Sequence, residues 1–210
     1  MDASLTPSDW ASLVAQCPEL GQMPFSLQTG ARLRVAEQGD VLFREGGRPQ
    51  AMLFVISGEL RLVRVSREGA EIVLQRSNAG FIAEATHESP QYRGDIVAAA
   101  ATCYVAFPLD VFEATLRVDP LFRQSWIDRL AGEVRKLREQ CERLGLRGAG
   151  NRIVHFIESE GTQGAIRLKQ SRAAWAGQLG LTREALHRAL ARLSSQGAIE
   201  VDGRVIRLAR

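Results

Sequence analysis

Between residue 28 and about residue 108 the chain alternates apolar and polar positions in short runs, interrupted at Gly39, Gly46, Gly47, Gly58, Gly69, Gly80 and Gly94. The pattern is clearest in MLFVISGELRLVRVSREGAEIVLQRSNAG, where Leu60 and Leu62 alternate with Arg61, a Glu68-Gly69 turn follows, and a second run covers Glu71 to Leu74. Successive side chains of a strand point to opposite faces, so this stretch reads as an antiparallel hairpin. Runs of this kind, separated by turn residues every 8 to 12 positions or so, predict a small sandwich, barrel or roll and not a parallel sheet.

After Pro108 the period becomes helical. From Asp119 onward Ile127, Leu130, Val134, Leu137, Cys141 and Leu144 recur at alternating steps of three and four residues, with Arg, Lys and Glu between them. That is a heptad seam, and it predicts a helix that pairs with a second copy of itself. A single amphipathic helix packed on its own β domain would show the same period, so both arrangements stay open. The segment GLRGAG, residues 145–150, has glycine at three of six positions and predicts a hinge.

Beyond the hinge, NRIVHFIES (151–159) is helical in pattern and IRL (166–168) is a short strand. A helix then starts with Ser171 as N-cap and ends near Gly180, and another starts with Thr182 and runs to Leu193. Two short helices joined by a glycine-containing turn predict a helix-turn-helix. On the second helix Leu186, Ala189, Leu190 and Leu193 share one face, while Arg183, Glu184, His187, Arg188 and Arg192 share the other. AIEVDGRVIRL, residues 198–208, reads as two strands about a type I′ turn at Asp202-Gly203, a wing beside the helices.

Composition narrows the function. With 210 residues, 45% hydrophobic and 24% charged, the chain is an ordinary globular protein of one medium and one small domain. Apolar runs such as IVAAAA (96–101) are far too short to span a bilayer, and MDASLTPSDW is not a basic segment followed by an apolar one, so the expected location is cytoplasmic, away from membranes. Cys17, Cys103 and Cys141 form no CxxC pair, and His87, His155 and His187 fall in three separate regions, which is poor material for a metal or a metal enzyme. No cofactor and no catalytic residue is expected.

Charge is uneven. Residues 1–150 carry 17 basic and 19 acidic side chains, residues 151–210 carry 10 and 5, so the small C-terminal part is the basic one. A polyanionic partner follows as a candidate. Arginine forks match guanine O6 and N7, a glutamate accepts from cytosine N4, and a helix N-terminus attracts phosphate, so Arg183, Glu184, His187, Arg188, Arg192, Thr182 and Ser171 are candidate contacts to double-stranded DNA.

The succession GDVLFREGG, FVISGELRLVR, a long helix, and LTREALHRALARLSSQGAIEVDGRVIRL resembles the Crp/Fnr family of bacterial transcription regulators. It is most specific at Arg183, Glu184 and Arg188, which match the family's Arg-Glu-x-x-x-Arg pattern, with His187 where some branches carry a serine. The resemblance implies an α+β protein: a cyclic-nucleotide-binding-like antiparallel β-roll over 1–118, a dimerisation helix over 119–147 and a winged helix-turn-helix over 148–210. It implies a homodimer that reads an inverted repeat of TGTGA-like half-sites, regulates transcription, and is no enzyme. RNA polymerase and a small-molecule effector are further partners open to it.

The resemblance also assigns a candidate effector site, Glu84, Arg93, Ala83, Gly94 and Arg138. Its cyclic-nucleotide-binding members place a Gly-Glu pair on the ribose and an arginine followed by a hydroxyl residue on the phosphate. Here Glu84 and Arg93 remain, but Ala83 replaces the glycine, Gly94 the hydroxyl residue, and Asp95 adds a carboxylate. At the helix positions that hold the base in cyclic-AMP responders stand Leu137 and Arg138. The expectation is an effector other than cyclic AMP, or none. A nucleotide-gated regulator using Glu84 and Arg93, and a structural Glu84–Arg93 ion pair, stay open. Two other classes are a cupin-type metal enzyme, short of histidines, and an adaptor whose winged helix binds protein. His87 is expected on the surface and not on a haem.

Overall fold

A computed structural model of the chain describes residues 3–69, 71–83, 89–168 and 171–209. The chain divides into two compact units, residues 1–128 and 129–210, and the division falls inside one long helix.

The first unit begins with β1 (Ala3–Ser4), α1 (Pro7–Gln16) and α2 (Phe25–Gly30). α1 starts at Pro7 because Thr6 and Asp9 close a capping box: the Thr6 amide donates to Asp9 Oδ2 at 2.9 Å and the Asp9 amide to Thr6 Oγ1 at 3.3 Å. Then come β2 (Arg32–Ala36), β3 (Val41–Phe43), β4 (Ala51–Ser57), β5 (Leu60–Val65), β6 (Glu71–Ser77), β7 (Gly80–Ile82), β8 (Asp95–Ala98) and β9 (Thr102–Pro108). They form a five-stranded antiparallel sheet in the order β1-β2-β9-β4-β7 and a four-stranded one in the order β3-β8-β5-β6. Leu53, Val55, Ile82 and Tyr104 from the first pack against Leu60 and Ile96 from the second, which makes the expected β-roll. The hairpin is β5–β6, Val65 opposite Glu71 and Leu60 opposite Ser77, with a bulge after Leu62 that shifts the register.

β4 departs from alternation because both of its faces are buried. Leu53 and Val55 fill the roll, whereas Phe54 lies 5.1 Å from Phe81 in a second aromatic layer. There Phe81 meets Phe112 of α3 (Leu109–Val118) at 5.9 Å and Trp126 of α4 (Pro120–Gly145) at 5.1 Å, and these two rings stand 4.9 Å apart. Phe122 and Trp126 thus fasten the first turns of α4 to the unit's own roll. Asp119 helps α4 to start, its carboxylate accepting from the Leu121 and Phe122 amides. The heptad positions behave differently: Ile127, Val134, Leu137 and Leu144 are exposed, Leu137 by 54%. No helix among the described residues is long and apolar enough to cross a membrane.

The second unit adds α5 (Ala149–Glu160), β10 (Ala165–Arg167), α6 (Arg172–Gln178), α7 (Arg183–Ser195), β11 (Ile199–Asp202) and β12 (Val205–Leu208) to the remainder of α4. Its core gathers Ile153, Phe156 and Ile157 of α5, Trp175 of α6, Leu186, Leu190 and Leu193 of α7, and Ile199 and Ile206 of the wing. The wing turn differs from the expected one. Asp202 pairs with Val205, so the loop is Gly203-Arg204, and only Gly203, at φ +56°, has a positive φ there. A type I′ turn needs left-handed backbone at both loop positions; glycine in the first alone gives type II′.

Candidate nucleic-acid interface

α6 and α7 take their places through their caps. Ser171 Oγ accepts from the Ala174 amide at 3.2 Å and Thr182 Oγ1 from the Ala185 amide at 3.1 Å. Each satisfies an amide that has no partner inside the helix, and each fixes where the helix begins. With Leu186, Ala189, Leu190 and Leu193 sunk in the core, α7 turns Arg183, Glu184, His187 and Arg188 to solvent. Their exposure follows from the period of the helix.

Two hydroxyls of the expected contact set are already engaged. That of Thr182 caps α7, and that of Ser171 caps α6. The polarity of its own amide and of the Thr182 hydroxyl, with the Arg183 and Arg188 charges, lowers the pKa of the Glu184 carboxyl from its ordinary value. Glu184 therefore stays an anion at neutral pH, able to accept from a base amino group. Arg192 sits apart from this quartet. A Cβ placed on Gly150 would come within 3.7 Å of its Nη2, so its guanidinium leans over the start of α5.

Sequence reasoning passed over two arginines that hold this unit together. Arg172 Nη2 donates to the Gly203 carbonyl at 3.1 Å and ties the wing turn to the start of α6. Arg152, on α5, donates to carbonyls at two helix ends. An arginine bonded to distant carbonyls has no spacing signature, and nothing in NRIVHFIES marks Arg152 out.

At the expected effector site the described residues are Ala83, Arg93, Gly94 and Arg138; Glu84 and His87 lie outside them. Ala83 has φ +56°, and its amide donates to Gln75 Oε1 at 2.8 Å. The backbone thus keeps the left-handed turn that the missing glycine would adopt freely. Arg93 is exposed and its carbonyl accepts from the Arg64 guanidinium, which also lies 3.3 Å from Glu45 Oε1. Just before it, buried Tyr92 stacks on Phe43 at 4.5 Å and accepts from the Gln50 amide at 3.3 Å. Gly94 is buried against β5, and Asp95 Oδ1 accepts from the Glu45 amide at 2.7 Å. The extra carboxylate of Asp95 is therefore a loop clasp. Arg138 is exposed on α4, in the other unit.

Comparisons with known proteins follow this division. A family model for the cyclic nucleotide-binding domain matches residues 33–119, and one for the Crp-like helix-turn-helix domain matches residues 151–210. The chain is 25% identical over 187 residues to electron transport regulator A of Shewanella oneidensis, covering 83% of this chain and 74% of that protein. It is 24% identical to an anaerobic regulatory protein of Haemophilus influenzae, again over 187 residues, covering 83% and 72%. Among solved structures, FixK2 from Bradyrhizobium japonicum superposes with a TM-score of 0.65 at 22% identity, covering 86% of this chain and 93% of that one. A CooA mutant from Carboxydothermus hydrogenoformans does so with a TM-score of 0.71 at 19% identity, covering 93% and 91%. Likeness at these identities speaks for the fold.

Proposed function

The chain belongs to the Crp/Fnr family of transcription regulators, and on that premise we propose that it works as a homodimer, paired through α4, whose two α7 helices enter successive major grooves of an inverted repeat with TGTGA-like half-sites. The observation that carries this reading is the solvent-facing set Arg183, Glu184, His187 and Arg188 on the N-terminal half of α7, backed by an apolar face fully committed to the core. In this reading residues 1–118 are the sensor, 119–147 the dimerisation helix and 148–210 the DNA-binding domain. The exposed stripe Ile127, Val134, Leu137 and Leu144 supports pairing, because apolar side chains at heptad spacing gain most when a second helix covers them. The protein acts by binding and not by catalysis.

Selection of duplexes from a random pool, followed by titration at several salt concentrations, tests the reading. An enriched inverted repeat, bound with an affinity that falls steeply with salt, is expected, since neutralising phosphates releases counterions. Enrichment of no sequence would count for the adaptor reading.

For the sensor we propose an effector other than cyclic AMP, or none. The close packing of Gly94 on β5 supports this, since it leaves no place for a hydroxyl side chain beside Arg93. A nucleotide-gated regulator has one observation in its favour, the left-handed backbone kept at Ala83. Calorimetric titration with cyclic AMP and cyclic GMP separates the two: micromolar binding of either would favour the gated regulator.

A further inference from the structure

Arg152 makes an unusual set of contacts. Its Nε donates to the Leu146 carbonyl at 3.0 Å and Nη2 to the Leu144 carbonyl at 3.1 Å. Nη1 donates to the carbonyls of Leu179 at 3.1 Å and Gly180 at 3.3 Å. Leu144 and Leu146 stand at the C-terminal end of α4, Leu179 and Gly180 at that of α6, in the turn that leads to α7. Helix C-termini carry unpaired carbonyls and a partial negative charge, so two brought together repel unless a cation lies between them. A planar guanidinium with donors on several sides suits that place, and four of its five N–H groups are used here.

Gly180 shapes the same joint. At φ +62°, a Cβ on it would stand 2.7 Å from Leu144 Cδ2 and 3.3 Å from Arg152 Nη1. A side chain there would be strained by the left-handed backbone and would press on Leu144 and the guanidinium. The connection from the end of α4 to the start of α7 thus runs through Arg152, across the GLRGAG segment that sequence reads as a hinge.

We infer that Arg152 is a positioning residue that sets the separation of the two recognition helices, and with it the half-site spacing the dimer accepts. The inference rests on the dimeric DNA-binding reading above. If α4 pairs the subunits and α7 reads the groove, the rigid link between them fixes how far each α7 stands from the dimer axis. Base recognition within a half-site belongs to Arg183, Glu184 and Arg188, which Arg152 does not touch.

The experiment titrates the full-length protein into duplexes carrying the selected half-site as an inverted repeat, with the separation changed one base pair at a time. Wild type should favour one separation over its neighbours by on the order of tenfold. In Arg152→Gln that preference should flatten to about twofold while discrimination among half-site bases stays as in wild type. An unchanged spacing profile would overturn the inference, and so would equal loss of spacing and base preference, which marks a merely structural residue. Arg152→Lys is the second variant, because it keeps charge and stem but not the fork; a folded Lys variant with the wild-type profile overturns the inference even if the Gln variant does not fold. A wild type that binds no duplex at all would instead overturn the DNA-binding reading.

Discussion

A Cβ placed on Gly94 would stand 2.5 Å from the carbonyl oxygen of Val63, far inside van der Waals contact. β8 begins at the next residue and pairs with β5, so neither backbone can withdraw without loss of ladder hydrogen bonds. Gly94→Ser, which would restore the family's hydroxyl after the arginine, should therefore destabilise the first unit by about 2 to 3 kcal/mol, as overpacked cores do. It should also leave cyclic-nucleotide affinity no better than wild type. Urea unfolding and calorimetry on the same sample give both values, and a stable variant that gains nucleotide affinity would refute the steric argument.

Ala83 at φ +56° predicts the opposite sign for a nearby change. An L-residue in the left-handed region costs about 1 to 2 kcal/mol, whereas glycine there costs only the extra entropy of its unfolded chain, about 0.5 to 1 kcal/mol. Ala83→Gly should thus raise stability by about 0.5 to 1 kcal/mol. A lower urea midpoint in the glycine variant would show that the alanine methyl, buried in the roll, contributes more than the strain removes.

These two positions also show what the sequence can and cannot reveal. Caps are legible because they act within a few residues: Ser171 and Thr182 sit where the pattern puts them and bond the amides three positions on. The apolar faces of α4 and α7 are legible because helical period translates directly into direction. At Gly94 the sequence registers a missing hydroxyl, while the reason glycine stands there is a carbonyl on a strand thirty-odd positions earlier. Gly203 follows the same rule on a smaller scale, since the wing turn is set by the pairing of Asp202 with Val205 and not by the Asp-Gly dipeptide alone. Arg152 and Arg172 lie beyond pattern reading altogether, because carbonyls are present at every residue and only the fold selects which ones converge.

Arg143 is a buried cation, and its neighbours set what its loss should do. Its side chain is 3% exposed, Nη2 reaches Glu160 Oε1 and Ser159 Oγ at 3.2 Å each, and the guanidinium lies 4.4 Å from the centre of the Phe156 ring. Glu160 is partly exposed and can be rehydrated, so removing its partner costs less than in a fully buried pair. Arg143→Ala should cost about 2 to 3 kcal/mol, chiefly in lost packing on Phe156. Arg143→Met should recover at least half of that, and denaturant curves of the two variants check the ranking.

The carboxylate of Glu59 predicts an acid-side slope. Burial alone would push its pKa up, but the hydrogen bond from Arg61 and the Arg61 and Arg76 charges outweigh it, so the folded value lies below the ordinary 4.5. Because the unfolded chain then binds the proton more readily, this contribution is fully present above the unfolded value and is lost as pH falls through the folded one. In Glu59→Gln the stability curve between about pH 3 and 5 should be flatter than in wild type. Equal slopes in the two proteins would mean that the cluster is too well hydrated to matter.

Arg183 and Arg204 are predicted to fail in different ways. Arg183 stands exposed in the first turn of α7 and Arg204 exposed at the wing turn; in the proposed docking the first meets a guanine edge and the second backbone phosphate. Arg183→Ala should cost about 1 to 3 kcal/mol on the selected site and much less on random duplex, relaxing discrimination at one base pair. Arg204→Ala should weaken binding to both duplexes alike and reduce the salt slope by about 1. Fluorescence anisotropy on selected and random duplexes at four salt concentrations separates the two patterns. If the exchange at Arg204 changed base preference while that at Arg183 changed only the salt slope, the groove would be read by the wing, and the docking proposed for α7 would have to be given up.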